Sequence, residues 1–577
     1  MTTRETIWRT KPCPDGARKL MECTGITPLQ AQLLVQRGIS SEEEASSFLN
    51  PRLSQLREPF HMKDMEAAVD RIVWAAERGK TVCIYGDFDA DGLTATALLC
   101  RFLSELGLDV LSYIPSRLEE GYGLNHEAMS TIAESRAKVI VTVDCGSTDL
   151  EEIDHALGLG LEVIVTDHHK VPDDLQPPCP LINPHRSGCP FPFKELAGVG
   201  VAFCLAAAVR AGLRRKGRFG ATREPDLRRL LDLVAIGTLA DMVPLVQENR
   251  ILTTAGLGVL QATSWPGLTA LQGVSGISPA LVSYEDVAYR LAPLINAAGR
   301  MGSALEGLEI LTTSDTAVAR DLSERLLSLN RERQASENRI LERVKSELPS
   351  PADMDGRRTL VIWGAGWHRG VLGIVASRLV EQYNRPVLVL STQNGIAAGS
   401  GRSIQGFDLH NALLGLRPIL KTFGGHRHAV GLSLDAKDLE ALCRGLEEAG
   451  REQLDDSDLS PTVETDLELP PSRITCDTVD EIEKLGPFGT GNPQPVFLGR
   501  GLKVLEARVV GGRHLKVLLS CDGAVHESIG FGLADRSVPL QKGDRIQAAY
   551  TPMMNRWQGI ERLQLKLIAL DYDSSTA

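Results

Sequence analysis

Three short apolar runs that each end in a turn bearing aspartate constrain the fold of this chain more than any other feature. They cover residues 81–85, 139–143 and 162–166, and helix-like patterns lie between them. Short apolar runs that alternate with helices predict an α/β fold with a parallel sheet covered by helices. Because the carboxyl ends of parallel strands meet at one edge of a sheet, the three turns should form one crevice, where ligands bind.

The first turn has the sequence GDFDADG at residues 86–92, with carboxylates at Asp87, Asp89 and Asp91. Three carboxylates in one turn repel one another unless a cation is bound, and their oxygens suit Mn²⁺ or Mg²⁺. The spacing also resembles the opening of a calcium-binding EF-hand loop. The closing Glu of such a loop is absent, however, and a strand precedes the turn. For this turn taken alone, a solvated acidic loop is the simpler alternative.

The other two turns carry one aspartate, and one aspartate with two histidines. Asp144 follows the strand predicted at 139–143, and Asp167, His168 and His169 follow the strand predicted at 162–166. A lone aspartate after a strand is usually a helix cap, and adjacent histidines are often surface residues. Three such clusters at three strand ends of one sheet indicate a shared site instead.

Asp241, which closes an apolar helix predicted at 227–239, adds a further carboxylate to this set. Carboxylates mixed with imidazole suit Mn²⁺ better than Ca²⁺, and the set lacks the thiolates of structural zinc. Two divalent cations can bind a phosphate, generate hydroxide and stabilise a leaving oxygen. We therefore predict two divalent cations, with Mn²⁺ preferred or Mg²⁺, and ligands from Asp87, Asp89, Asp91, Asp144, His168 and Asp241.

Length and composition exclude several classes of protein. At 577 residues the chain is too long for one hydrophobic core and should form several domains. It has no apolar run long enough for a membrane span and no signal pattern at its N-terminus, so we expect a cytoplasmic protein that does not enter membranes. The eleven Cys lack disulfide-like spacing and are expected to be reduced thiols.

The net charge of -12 argues mildly against a nucleic-acid binder, because binding to the phosphate backbone is largely electrostatic. Local positive potential is enough for a groove, however, and carboxylates that hold cations add to the negative count. The segment 210–229 carries eight Lys or Arg against two acidic residues. It is either such a positive surface or a solvated loop.

The rest of the chain divides into recognisable segments. Residues 314–348 contain neither Gly nor Pro, and their polar middle is typical of a helix that crosses solvent between domains. A second α/β pattern follows, and short strand-like runs at the end predict an antiparallel barrel. The predicted segments are an N-terminal segment at 1–55 that packs on the core, a catalytic domain at 56–313, a long connecting helix at 314–350, a second α/β domain at 351–452 and a nucleic-acid-binding barrel at 460–577.

Several motifs together resemble those of a known family. GDFDADG, VDCG, TDHH followed by LINPH, and LADMVPL are similar to the four motifs of the DHH phosphoesterase superfamily. Further motifs at 113–124, 290–300, 368–374, 400–403 and 424–426 extend the resemblance to the RecJ family of bacterial single-strand exonucleases over nearly the whole chain. The resemblance implies a DHH catalytic domain, a DHHA1-type substrate-binding domain and a C-terminal OB-fold barrel.

The resemblance also implies roles for the cluster. One cation would be held by Asp87, Asp89 and Asp144, and the other by Asp91, Asp144, His168 and Asp241, so that Asp144 bridges both. His169 would face the scissile phosphate as a hydrogen-bond donor or acid, and Asp167 would orient the histidines. Asp87 stands where many members of the superfamily have His, which replaces a nitrogen ligand with a charged oxygen.

Residues outside the cluster are implied to bind the substrate. Arg117 and Tyr122 flank a glycine turn after a strand, where charge and stacking would suit a nucleotide. Arg300 is a candidate phosphate clamp, with a surface arginine at a helix end as the alternative. Glycine turns of the second α/β domain suit phosphate oxygens but are more often structural; the candidates there are Ser400, Arg402, Ser403 and His426.

The resulting hypothesis is a single-stranded-DNA-specific 5′-to-3′ exonuclease that releases 5′-mononucleotides in DNA repair and recombination. A single-strand-binding protein and a recombination helicase are the partners that the family suggests. One alternative is an enzyme with the same core that cleaves pyrophosphate, cyclic dinucleotides or very short oligonucleotides; the barrel and the long helix favour a polymer. Another is a single-strand-binding scaffold whose site has decayed, but every predicted ligand position holds Asp or His.

Overall fold

The structure is a computed structural model that describes residues 6–117, 119–220, 223–348, 354, 356–534, 537–557 and 560–573. The chain forms two compact units, which are described separately. One unit comprises residues 46–333 and 487–493, and the other comprises residues 1–45, 334–486 and 494–577. Within the described ranges, none of the helices has both the length and the apolar character needed to cross a membrane.

The N-terminal residues form one strand and three helices. They are β1 (Ile7–Thr10), α1 (Ala17–Thr24), α2 (Pro28–Gln36) and α3 (Glu42–Leu49). Thr27 caps α2, because its side chain accepts a hydrogen bond from the N–H of Gln30 at 3.3 Å. β1 pairs in parallel with residues Thr462–Thr465, so the N-terminal segment is anchored next to the terminal barrel of its own unit.

A parallel five-stranded sheet forms the centre of the unit at 46–333. After α4 (Met65–Glu77), its elements are β2 (Thr81–Gly86), α5 (Ala90–Glu105), β3 (Val110–Tyr113), α6 (His126–Glu134), β4 (Ala137–Val143), α7 (Leu150–Gly158), β5 (Glu162–Thr166) and β6 (Leu181–Ile182). The strand order is β3-β2-β4-β5-β6, and all neighbours run parallel. The predicted parallel sheet is confirmed, and the three strands that end in acidic turns are adjacent.

The strands are apolar throughout because both faces of the sheet are covered. In β2, Val82 and Ile84 belong to one hydrophobic core, whereas Cys83 and Tyr85 belong to the core on the opposite face. Successive side chains of a strand point to opposite faces, so burial on both faces requires a continuous apolar run. This is the pattern that the sequence has at residues 81–85.

Helices complete the same unit. They are α8 (Gly198–Arg215), α9 (Leu231–Ala240), α10 (Gln247–Gln261), α11 (Pro266–Val274), α12 (Tyr284–Asp286), α13 (Ala292–Met301) and α14 (Ala304–Thr312). The helix predicted at 227–239 begins as a 3₁₀ turn over Leu227–Leu230 and continues as α9. Asp241 therefore follows directly on the last residue of α9.

A long helix, α15 (Thr316–Glu347, 32 residues), follows, as predicted. At 1.5 Å per residue it is about 48 Å long. The prediction that its polar middle crosses solvent is wrong in part, because Ser336 and Glu337 are buried. Glu337 is kept there by an ion pair with Arg378 of the following domain.

The second α/β domain has a mixed sheet. Its elements are β7 (Leu360–Ala365), α16 (Leu372–Tyr383), β8 (Val387–Gln393), β9 (Ile396–Arg402), α17 (Leu409–Gly415), β10 (Leu420–His426), β11 (Ala429–Asp435) and α18 (Leu439–Gln453). The strand order is β10-β11-β9-β8-β7, in which only β7 and β8 pair in parallel. The glycine-bearing segments predicted to bind phosphate lie on β9 and β10.

The C-terminal residues form a closed barrel, as predicted. The elements are β12 (Thr462–Thr465), β13 (Leu467–Glu468), α19 (Cys476–Glu483), β14 (Phe497–Val510), β15 (His514–Cys521), β16 (Ala524–Gly530), β17 (Arg545–Trp557) and β18 (Ile560–Tyr572). The order β14-β15-β16-β18-β17 closes because β14 also pairs with β17. Closure of five strands in this way is characteristic of an OB-fold.

Candidate active site

The predicted ligand side chains converge at the carboxyl ends of β2, β4 and β5. Their oxygen and nitrogen atoms form three groups, within each of which the atoms lie no more than 4.8 Å apart. The groups are Asp87, Asp89 and Asp144; Asp91, His168 and Asp241; and Asp144, His168 and His169. The sequence thus identified residues that the fold brings together, and Asp144 belongs to two of the groups.

The donor atoms of this cluster are suited to divalent cations. Asp87 Oδ1, Asp144 Oδ1 and His168 Nε2 are buried and make no hydrogen bond of acceptable geometry within the protein. His168 Nε2 lies only 3.0 Å from Asp144 Oδ1, and 3.6 Å from Asp241 Oδ2. Unpaired buried polar atoms are costly and rare, and oxygen and imidazole donors directed at a common point are what Mn²⁺ or Mg²⁺ coordinates.

Burial and repulsion between carboxylates raise the pKa values of four aspartates in the cluster. The pKa of Asp87 is raised well above its usual value by burial and then by Asp89, and the pKa of Asp144 by burial and then by Asp91. The same causes raise the pKa of Asp91 to about 6 and that of Asp241 to about 7. A cation within the cluster would reverse these shifts, because it favours the charged form of each carboxylate.

Asp91 also performs a structural role that the sequence did not indicate. Its Oδ2 accepts a hydrogen bond from the N–H of Gly198 at 2.7 Å, and its Oδ1 accepts one from the N–H of Val199 at 3.0 Å. These are the first N–H groups of α8, which have no partner within the helix. The segment LAGVG at 196–200 was the available signal, but no local pattern links it to a turn more than a hundred residues earlier.

The backbone at Asp144 is left-handed, with a φ of 63°. A residue other than glycine is uncommon in this region, and such strain often occurs at functional sites. The N–H of Asp144 donates to the carbonyl of Thr166 on β5 at 3.0 Å, and the Thr142 hydroxyl donates to the Cys145 carbonyl at 2.8 Å. These bonds fix the turn after β4, so that the Asp144 carboxylate points into the cluster.

His169 is oriented by Asp167. Its Nδ1 donates to Asp167 Oδ1 at 2.8 Å, while the same carboxylate accepts backbone N–H groups from His168 at 2.7 Å and Ser147 at 3.1 Å. Burial lowers the pKa of His169, but the hydrogen bond to Asp167 and the charges of Asp167 and Asp144 together outweigh it and raise that pKa to about 9. The pKa of Asp167 is lowered despite its burial, chiefly by the hydrogen bond to His169.

Tyr122 and Arg117 lie beside the cluster. The hydroxyl oxygen of Tyr122 is 3.1 Å from His169 Nδ1 and 3.3 Å from the carbonyl oxygen of Asp144. The side chain is nonetheless 55% exposed, so its ring remains available for stacking. The Arg117 guanidinium lies 5.0 Å from the centre of the Phe88 ring, within the acidic turn.

Arg300 is carried by α13, which packs directly on the acidic turn. Asn296 of this helix accepts a hydrogen bond from the N–H of Ala90 at 2.9 Å. A Cβ atom added to Gly299 would lie 2.7 Å from the carbonyl oxygen of Phe88, which shows how close the helix and the turn are. Arg300 is the next residue along α13.

The four candidates of the other unit lie close together within its mixed sheet. Arg402 and His426 both pair with Ala429, one from each side, so they occupy one row across β9, β11 and β10. Ser400 lies two residues before Arg402 on β9, so both side chains are on the same face of the sheet. Ser403 directly follows that strand. The Ser403 hydroxyl donates to the Phe407 carbonyl at 2.9 Å, which gives it a structural contact as well.

The basic segment at 210–229 is largely neutralised. Five of its eight basic side chains form ion pairs with acidic residues: Arg210 and Arg214 with Glu224, Arg215 with Glu66, Lys216 with Glu77, and Arg228 with Asp226. This favours a solvated surface over a positive binding surface, although residues 210–215 belong to α8 and not to a loop.

Comparison with known proteins identifies the same three domains. The model of the "DHH family, N-terminal domain" matches residues 81–238, that of the "DHHA1 domain" matches residues 356–452, and that of the "RecJ OB domain" matches residues 465–569. A Bacillus subtilis protein named "Single-stranded-DNA-specific exonuclease RecJ" is 38% identical over 563 residues, which cover 96% of this chain and 70% of that protein. The chain belongs to the RecJ family.

Other RecJ proteins match over most of their own length. The RecJ of Salmonella typhimurium is 36% identical over 94% of this chain and 95% of its own. The crystal structure of Thermus thermophilus RecJ in complex with Mn²⁺ matches with a TM-score of 0.83 and 31% identity, covering 100% of this chain and 80% of that one. Its complex with Mg²⁺ matches with a TM-score of 0.77 and 30% identity, covering 99% and 79%.

Proposed function

We propose that this protein is a metal-dependent exonuclease specific for single-stranded DNA, which degrades strands from 5′ to 3′ and releases 5′-mononucleotides. The observation that carries the proposal is the convergence of carboxylates and imidazoles around Asp144. Membership of the RecJ family supports the substrate, because its relatives are named as single-stranded-DNA-specific exonucleases. The function belongs to DNA repair and recombination, where single strands are shortened.

Two divalent cations, Mn²⁺ preferred or Mg²⁺, complete the site in this proposal. One is assigned to Asp87, Asp89 and Asp144, and the other to Asp91, Asp144, His168 and Asp241. Three of these residues supply buried atoms that make no well-formed hydrogen bond within the protein, which supports the assignment. When bound, the cations would coordinate phosphate oxygens, lower the pKa of the attacking water and stabilise the leaving oxygen.

His169 and Asp167 form the proposed proton donor of the site. Asp167 accepts from Nδ1 of His169, so Nε2 is the atom that can donate to a phosphate oxygen or a leaving group. The hydrogen bond and the charge of Asp167 favour the protonated form of the His169 imidazole, whose pKa is raised to about 9 before a cation is bound. Asp167 therefore acts through His169, as a residue that orients and charges the donor.

Substrate binding is assigned to groups around and beyond the cluster. In the catalytic domain, proposed at 56–313, Tyr122 would stack on a base, while Arg117 and Arg300 would bind phosphates. The second α/β domain, proposed at 351–452, would contribute Ser400, Arg402, Ser403 and His426. The barrel, proposed at 460–577, would bind single-stranded DNA, as many OB-folds do.

Partners and location follow from this substrate. A single-strand-binding protein and a recombination helicase are the proposed partners, because one covers and the other generates single strands. A cytoplasmic location is proposed because bacterial chromosomal DNA lies there. Co-purification of tagged protein from cells with damaged DNA tests the partners, and cell fractionation tests the location.

Product analysis on end-labelled single strands with Mn²⁺, Mg²⁺ or chelator tests the function. We expect mononucleotides from the 5′ end with either metal and none with chelator. Asp144→Ala should abolish cleavage yet leave DNA binding largely intact, because it removes the ligand shared by both cations. Cleavage by this variant at the normal rate would contradict the metal assignment.

The same assay separates the two other functions that the sequence leaves open. Faster turnover of dinucleotides than of long strands would indicate an enzyme for small nucleotides. Binding of single strands without any metal-dependent release of mononucleotides would indicate a scaffold protein.

A further inference from the structure

Gly198, the first residue of α8, contacts two residues of the candidate metal cluster at once. Its N–H donates to Asp91 Oδ2 at 2.7 Å. A Cβ atom added to it would lie 2.7 Å from Asp144 Oδ1 and 2.8 Å from both Cβ and Cγ of Asp144. Cβ atoms in proteins essentially never approach other heavy atoms closer than 3.0 Å. A side chain at this position would therefore displace Asp144 or the start of α8.

The backbone conformation does not explain why residue 198 is glycine. Its φ lies outside the left-handed region that favours glycine, and the residue is helical. In a helix, alanine is preferred to glycine on intrinsic grounds. The remaining reason for glycine is the space that the Asp144 side chain occupies.

Asp144 has no room to retreat. It is 2% exposed, and its backbone is held in a left-handed turn by the hydrogen bond from its N–H to the Thr166 carbonyl. A methyl group pressed against its carboxylate would therefore rotate that carboxylate within the cluster rather than out into solvent.

A second glycine confines Asp91 in a similar way. A Cβ atom added to Gly237 of α9 would lie 2.6 Å from Asp91 Oδ1 and 2.4 Å from the Thr94 hydroxyl oxygen. The Asp91 carboxylate is thus enclosed between the N–H groups that begin α8 and the backbone of α9. Glycine contacts on separate helices allow the buried carboxylates to sit this close to the backbone.

We propose that Gly198 is a positioning residue of the metal site. Its N–H fixes the Asp91 carboxylate, and its missing Cβ leaves the space in which Asp144 takes its ligating orientation. This inference rests on the proposed function, because Mn²⁺ or Mg²⁺ is the ligand that Asp144 and Asp91 would hold. Since Asp144 is assigned to both cations, its displacement would affect both.

The first test compares Gly198→Ala with Gly200→Ala, a matched control in the same helix. The three heavy atoms nearest to a Cβ atom added at Gly200 are side-chain atoms of Leu196, the closest at 3.1 Å. Calorimetric titration with Mn²⁺ should show binding weakened at least about tenfold in Gly198→Ala and changed less than about twofold in the control. In DNA cleavage, Gly198→Ala should lower kcat and leave KM for DNA unchanged, with partial recovery at high Mn²⁺. Equal Mn²⁺ affinity of the two variants would overturn the proposal.

The second test measures thermal unfolding without metal or DNA, so its result does not depend on nuclease activity. Gly198→Ala should lower Tm in the otherwise unchanged protein. In an Asp144→Gly background, which removes the Cβ, Cγ and Oδ1 atoms that a Cβ at position 198 would meet, the same substitution should leave Tm unchanged or raise it, because alanine suits the helix. An equal fall of Tm in both backgrounds would overturn the proposal. If Gly198→Ala alone does not fold, recovery of folding by Asp144→Gly is the expected result, and failure to recover it contradicts the proposal.

Discussion

The Oδ1 atom of Asp167 accepts a hydrogen bond from Nδ1 of His169 at 2.8 Å. Asp167 is buried, and its Oδ1 also accepts hydrogen bonds from the backbone N–H groups of His168 and His169. A buried carboxylate that is fixed in this way sets both the tautomer and the orientation of the imidazole.

Asp167→Asn should lower kcat by about 10–100-fold with little change in KM for DNA. The amide keeps the shape of the side chain but removes the charge that raises the pKa of His169 to about 9. We therefore expect this pKa to fall toward its usual value, which NMR titration of the imidazole would measure. Asp173→Asn, an exposed aspartate shortly after the same turn, is the control. An unchanged His169 pKa together with full activity would contradict the role of Asp167.

Removal of the metal should destabilise the protein more at pH 8 than at pH 6. Without a cation, the folded pKa values of Asp241, about 7, and Asp91, about 6, lie above the value of 3.8 expected in the unfolded chain. Between pH 3.8 and these raised pKa values the folded state therefore binds more protons than the unfolded state. The free energy of unfolding then falls as the pH rises through about 6 and 7. We expect a larger rise of Tm on adding Mn²⁺ at pH 8 than at pH 6.

Asp241→Asn provides the control for this pH effect. The amide cannot ionise, so the Tm difference between pH 6 and pH 8 in chelator should shrink. Scanning calorimetry of the unchanged protein and of Asp241→Asn, each with chelator and with Mn²⁺ at pH 6 and pH 8, measures these Tm values. A Tm gain from Mn²⁺ that is the same at both pH values would contradict the picture of mutually repelling carboxylates.

Tyr122 should contribute to DNA binding through its ring and to His169 through its hydroxyl. Tyr122→Ala should raise KM for single-stranded DNA, because stacking of a base on an aromatic ring is worth about 1–3 kcal/mol. Tyr122→Phe should keep KM near normal but lower kcat modestly, because the ring stays while the hydroxyl contacts to His169 Nδ1 and to the Asp144 carbonyl oxygen are lost. Steady-state kinetics on one oligonucleotide separates the two effects. Equal KM values for both variants would exclude stacking.

The position of the cluster could be predicted from the sequence because it follows from topology. Asp87, Asp144 and Asp167 each follow an apolar run, and in a parallel sheet all such strand ends lie on one edge. The run at 81–85 requires burial on both faces, which the cores on either side of β2 provide. This part of the site needs no knowledge of side-chain packing.

The contacts that hold the cluster in place could not be predicted in this way. Asp91 bonds to Gly198 and Val199, 107 and 108 residues further along the chain. The helix that carries them is rich in Gly, Ala and Val, so it lacks the polar and apolar alternation that marks an amphipathic helix. Similarly, the polar composition of residues 330–339 gave no sign that Glu337 is buried. Its ion pair is with Arg378 of α16, a helix that the local sequence does not link to this segment.

Arg402 should act on substrate affinity rather than on chemistry. It shares a sheet row with His426 on glycine-rich strands, where a guanidinium can make charge-assisted hydrogen bonds to phosphate. Such bonds are worth about 1.5–3 kcal/mol, so Arg402→Ala should raise KM for DNA roughly tenfold or more and leave kcat at saturation nearly unchanged. It should also reduce the slope of log affinity against log salt by about one. Arg444→Ala, in an exposed position on α18 of the same domain, should change neither quantity. A fall in kcat with unchanged KM and salt slope would instead assign Arg402 to the architecture of β9.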